Sequence, residues 1–144
     1  MPNQLLFLPL LLLWITSLAK AQNGNLVVNI LNCKNDKGTL RVAVFKTEEG
    51  FPSDVSQAVQ VKSCAIRPNA STLTFNGLAY GVYAVSVYHD ENNNNKLDTN
   101  FMGIPSEGYG ASRDAKNTFG PPKFEDAKFS IDSPTKMLNI KIRY

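Results

Sequence analysis

Between Asp90 and Asp98 the chain reads Asp-Glu-Asn-Asn-Asn-Asn-Lys-Leu-Asp. Asp90, Asn92, Asn94 and Asp98 stand at positions 1, 3, 5 and 9 of a calcium-loop spacing. Calcium is a hard cation that takes about six to eight oxygen ligands. Alternate residues of a tightly curled loop can turn their oxygens inwards to meet it. Lys96 would add its backbone carbonyl, and Leu97 is the apolar residue that pins such a loop to a core. Two positions depart from the EF-hand pattern. Position 6 is Asn95 rather than Gly, and Asn tolerates a left-handed backbone better than most residues. Position 12 is Phe101 rather than a bidentate Glu, so a carboxylate from elsewhere must complete the shell, with Glu107 or Glu91 as candidates. So few carboxylates predict weak affinity, about 10⁻⁴–10⁻³ M, and an ion that stiffens the loop rather than one that does chemistry. The competing reading is an ion-free turn, since Asn and Asp favour turns through local hydrogen bonds.

Three other groups of residues could form sites. The segment from Phe101 to Phe124 is long for a connection in a compact domain. Its Tyr109, Arg113 and Phe119 suit a peptide, glycan or ring; alternatively its aromatics fold back to cap one end of the domain. His89 is the single histidine and adjoins Asp90, but no Gly-x-Ser-x-Gly elbow accompanies it. His89 therefore reads as a strand-end residue, and no enzyme is expected; a hydrolase using His89 and the nearby acids is the alternative. Cys33 and Cys64 are either separate thiols or one disulfide, which would close a loop of about 30 residues and contribute roughly 3–4 kcal/mol. One His and two distant Cys make no zinc spacing.

The elements that must position these residues are strands. Leu26, Val28 and Ile30 alternate with polar or outward positions, and Leu40, Val42 and Val44 repeat the pattern after the turn Asn35-Asp36-Lys37-Gly38. The two runs suggest a hairpin. Val59 to Ile66, Leu73 to Phe75, Tyr83 to Val87, Ala127 to Ile131 and Leu138 to Tyr144 add further short strands, and Asp54 to Ala58 could form one helical turn. Residues 76–81 read as a reversal. About seven strands with turn signals between them and no convincing amphipathic helix predict an all-β sandwich.

The chain has 144 residues and a formal net charge of +3. Leu5 to Ile15 is an apolar run of the length of a secretory h-region, shorter than the roughly 20 residues of a membrane helix, and Ala19-Lys20-Ala21 follows as a small-x-small cleavage signal. Residues 1–21 are therefore expected to be a cleaved signal peptide, and 22–144 a single domain that is secreted or periplasmic. No cysteine stands at the cleavage point, which argues against a lipoprotein. Beyond the signal no apolar stretch is long enough to span a bilayer. Scattered charges without a basic stripe exclude nucleic acid as an obvious partner.

Three blocks carry a family resemblance: Tyr88 to Asp98, Gly103-Ile104-Pro105-Ser106-Glu107-Gly108-Tyr109-Gly110, and Phe119-Gly120-Pro121-Pro122-Lys123-Phe124-Glu125-Asp126-Ala127. Together they closely resemble the DUF2141 family of exported bacterial proteins of unknown function. More distantly, Leu73 to Val85 is similar to the Gly-Leu…Gly-x-Tyr signature of transthyretin-like and carboxypeptidase-regulatory-like sandwiches, which implies an immunoglobulin-like fold. The expected function is an exported, non-catalytic binding or accessory module of the bacterial envelope with a calcium-stabilised loop. Its expected partner is an envelope protein, peptide or glycan. A structural protein that self-associates through the long segment is a further alternative.

Overall fold

Alternation of apolar and polar residues places the strands, and the turns between them decide which sheet each strand joins. The computed structural model describes residues 22–68 and 70–144; the expected signal segment lies outside them. In chain order the elements are β1 (Asn23–Leu31), β2 (Thr39–Phe45), β3 (Gln60–Cys64), β4 (Ser71–Ala79), β5 (Gly81–Asp90), β6 (Tyr109–Ala111), α1 (Phe124–Ala127), β7 (Phe129–Ile131) and β8 (Thr135–Lys141). One sheet has the order β4-β1-β8 and the other β3-β2-β5-β6, with β7 also on β5. The protein is an all-β sandwich.

The expected hairpin of β1 and β2 does not form. β1 pairs antiparallel with β4 and parallel with β8, whereas β2 pairs with β3 and β5 in the opposite sheet. Each of the two strands carries a complete apolar face. Facing each other across the sandwich, Leu26, Val28 and Ile30 and Leu40, Val42 and Val44 all become buried. The connection of residues 32–38 crosses between the sheets instead of reversing within one. Phe75, Tyr83, Val85, Val87, Ile131, Ile140 and Ile142 fill the rest of this core. Residues 76–79, expected as a reversal, instead continue β4 opposite β1, with a register shift between Gly24 and Leu26.

β5 is covered on both faces. Tyr83, Val85 and Val87 point into the main core, while Ala84 joins Ala111, Ala115 and Ala127 in a second cluster. Phe51 and Phe124 pack on that cluster edge-to-face, with ring centroids 5.9 Å apart. The long segment after residue 100 is therefore not structureless. It returns along the sheet as β6, wraps over the outer face and ends in the single turn of α1. A turn of 3₁₀-helix at Val55–Gln57, capped by the Asp54 carboxylate on the Ser56 amide, occupies the expected helical turn.

β6 and β7 share one edge of β5, end to end. β6 pairs with residues 86–88 and β7 with residues 81–83. Ser112 fills the gap between them: its hydroxyl accepts from the Val85 amide at 2.9 Å and donates to the Ala127 carbonyl at 2.6 Å.

Candidate metal centre

Asp90 is the last residue of β5, and the chain curls immediately after it. Asn93 and Asn95 take positive φ of 58° and 65°, which Asn tolerates better than most residues. The Asp90 carboxylate is fully buried and organises the curl. Oδ1 accepts from the Asn94 amide at 3.0 Å, and Oδ2 accepts from the Asn95 amide at 2.9 Å and from Arg41 Nε at 3.0 Å. Arg41 reaches it from β2, where it stands opposite Tyr88. The Asn92 and Asn94 amide oxygens accept from the backbones of Asn94 and Lys96, two residues on in each case, as Asx turns do.

Asp98 closes the curl. Its two oxygens accept from Asn92 Nδ2 at 2.6 Å and Asn94 Nδ2 at 2.8 Å, so three of the residues singled out by spacing meet at one place. Glu107 meets the same loop from behind. Its carboxylate is only 6 % exposed; Oε1 accepts from the Glu91 amide at 2.8 Å and Oε2 from the Asp98 amide at 3.0 Å. Glu107 thus clasps both limbs of the loop, and among the described residues no cationic side chain pairs with it. Glu91 faces outward to Lys34 at 2.7 Å, and that hydrogen bond holds its carboxyl below the usual carboxylate range against the opposing effect of burial. Among the described residues no three of His, Cys, Asp and Glu converge closely enough to hold a metal by themselves. Any ion here must draw on the Asn oxygens and the Lys96 carbonyl as well.

The single histidine has no free nitrogen. His89 is fully buried at the end of β5; Nε2 lies 2.6 Å from the Lys37 carbonyl and Nδ1 lies 2.6 Å from the Tyr144 hydroxyl. A carbonyl can only accept, so Nε2 carries a hydrogen, and Nδ1 shares its hydrogen bond with the Tyr144 hydroxyl. The Tyr144 hydroxyl in turn accepts from the Lys34 amide at 3.0 Å. His89 therefore ties β5, the C-terminus and the crossing connection together.

The structure does not gather the three candidate ligand-binding residues. Tyr109 lies in β6 opposite Tyr88, and Arg113, with φ of 60°, donates from its guanidinium to the Lys128 carbonyl. Phe119 lines a shallow hollow with Phe51 and Phe124, beside the end of β2 remote from Asp90. Phe124 does fold back onto the domain, whereas Phe119 stays exposed. Cys33 and Cys64 are both free thiols, half-buried against the same core. Burial pushes both thiols up, and for Cys64 the neighbouring Cys33 adds to the effect.

Arg41 and Ser112 were missed by sequence reasoning. Arg41 looks like any outward strand residue until the β2–β5 register places it beside Asp90. Nothing local distinguishes Ser112 from the chain's other serines.

A family model described as an uncharacterized protein conserved in bacteria, DUF2141, matches residues 28–139. The chain belongs to the DUF2141 family. The match spans both sheets and the whole of the loop from Asp90 to Glu107. No curated protein and no solved structure matches the chain. Membership in DUF2141 brings a family without an assigned activity, so the functional reading has to come from the site.

Proposed function

We propose that the chain is an exported, non-catalytic binding or accessory module of the bacterial envelope whose loop 90–98 is stiffened by calcium. The observation that carries the metal reading is the meeting of Asp98 with Asn92 and Asn94 beside the buried Glu107 carboxylate, which no cationic side chain among the described residues pairs. The Asn92 and Asn94 side-chain oxygens, which accept from the Asn94 and Lys96 amides, each keep a second lone pair for a cation beside the Asp98 carboxylate. Asp90, Asn92, Asn94, the Lys96 carbonyl, Asp98 and Glu107 are the oxygen donors at hand. Hard, oxygen-only donors suit calcium rather than a transition metal. Arg41 already bonds Asp90 and competes with the ion, which agrees with weak binding. The engagement of both His89 nitrogens supports a non-catalytic reading.

Calorimetry and thermal melting in calcium against EGTA test the metal. At tenfold excess over Kd the expected stabilisation is about 1.4 kcal/mol, a rise of several degrees in Tm. Asp98→Ala should abolish it. Absence of both heat and a Tm shift in the unsubstituted protein would remove calcium from the reading. N-terminal sequencing of the exported protein tests the localisation, with Gln22 as the expected first residue.

A further inference from the structure

Beyond Asp98 the chain makes a short, self-contained tip. Thr99 and Pro105 form an antiparallel bridge, and the Ser106 amide donates to the Asp98 carbonyl at 2.8 Å, so the tip is rooted on the metal loop. Within it the Asn100 amide donates to the Ile104 carbonyl and the Gly103 amide to the Asn100 carbonyl. The Asn100 side-chain oxygen accepts from Met102 at 2.9 Å and Ile104 at 3.1 Å. The amides of Asn100, Met102, Gly103 and Ile104 are thus all satisfied inside the tip. Outside it stand Phe101, Met102 and Ile104, with exposures of 96 %, 65 % and 53 %. Exposed apolar side chains clustered on an ordered turn mark an interaction site.

We infer that this tip docks the protein on a lipid surface bearing anionic headgroups, with Phe101, Met102 and Ile104 entering the interfacial layer. Shape favours lipid over a protein partner. A stable protein interface buries about 800 Å² on each side, more than three side chains on a protruding turn present, whereas a bilayer accepts a small wedge. Backbone chemistry agrees, because the amides of Asn100, Met102, Gly103 and Ile104 are bonded internally and enter a region poor in water without being orphaned. Charge supplies the choice of headgroup. Lys96 is exposed at the root of the tip, and Lys37, whose carbonyl bonds His89, is exposed at the same end of the sandwich, where Lys34 is already paired with Glu91. Within residues 90–98, three acids outnumber the one lysine, a net charge of −2 that one divalent cation cancels. The calcium dependence of docking, though not the tip itself, rests on the metal reading above.

Co-sedimentation with vesicles tests the inference. The protein is mixed with phosphatidylcholine vesicles, with or without phosphatidylglycerol, in millimolar calcium or EGTA. Sedimentation is expected with phosphatidylglycerol and calcium, with at least a tenfold lower apparent affinity in EGTA. The combined substitution Phe101→Ser, Met102→Ser and Ile104→Ser should remove it while leaving the melting temperature and its calcium shift unchanged. If calcium shifts Tm but no vesicles bind, the lipid inference is overturned and the metal reading stands. A protein partner for the tip would give the same result. Binding that depends on the tip but ignores calcium, with no Tm shift, supports docking and overturns the metal reading. Vesicle binding that survives the triple substitution overturns the docking role of the tip.

Discussion

Ser112 shows how much a single buried hydroxyl can hold. It answers the Val85 amide and the Ala127 carbonyl at a place where the edge of β5 has no strand opposite it. Ser112→Ala leaves both groups without a partner, and each buried orphan costs about 1–3 kcal/mol. Urea denaturation should show a loss of about 2–6 kcal/mol for the two together, with little change in far-ultraviolet circular dichroism. At this scale the sequence was informative wherever the chemistry was local. Asp90, Asn92, Asn94 and Asp98 lie within one curl, so spacing alone brought them together, and the left-handed Asn95 follows from residue type. Glu107 was, with Glu91, a candidate to complete a calcium shell; its bonds in the structure, accepting from the amides of Glu91 and Asp98, depend on backbone geometry that no spacing specifies.

The strands were legible from their alternation, but their partners were not. β1 and β2 look like a hairpin because a turn separates two alternating runs. The sandwich instead uses that turn as a crossing, since both apolar faces are complete and each needs the other. β6 escaped notice because three residues, Tyr-Gly-Ala, carry no period of two. The crossing ends at Gly38, whose φ is +73° and where a Cβ would collide with the Asp90 carbonyl. Gly38→Ala therefore combines left-handed strain of roughly 1–2 kcal/mol with a backbone clash. The expected result is a destabilisation larger than that strain, read from the urea midpoint; the proposed calcium-dependent rise in Tm should shrink as well, because the root of the loop is displaced.

For the molecule as a whole, the half-buried thiols and the buried Tyr83 phenol bear on the response to alkali. Burial raises Cys33, Cys64 and Tyr83 above their ordinary values. A group raised on folding contributes its full stability below its unfolded value and loses it as pH climbs through the folded one. Stability should hold up to about pH 8.5 and decline above it, where free thiols and then phenols ionise in the unfolded chain. Denaturation midpoints from neutral to alkaline pH check this. Cys33→Ser with Cys64→Ser should delay the onset until the tyrosines titrate. Fold class and a single sandwich could be read from strand count and turn spacing. For the wrapping of residues 109–127 over the outer face, only the folding back of an aromatic, Phe124, was among the sequence alternatives; the other anchors are small alanines and one serine, which carry no pattern.

The shared edge of β5 has one more consequence. β6 and β7 are each registered on β5 independently, so the chain between them is held at both roots and need not be any particular length. Residues 116–121 are all exposed, and nothing in either sheet depends on them. They form a stretch where added length should leave strand register undisturbed. The roots at Ser112 and Ala127 have no such freedom.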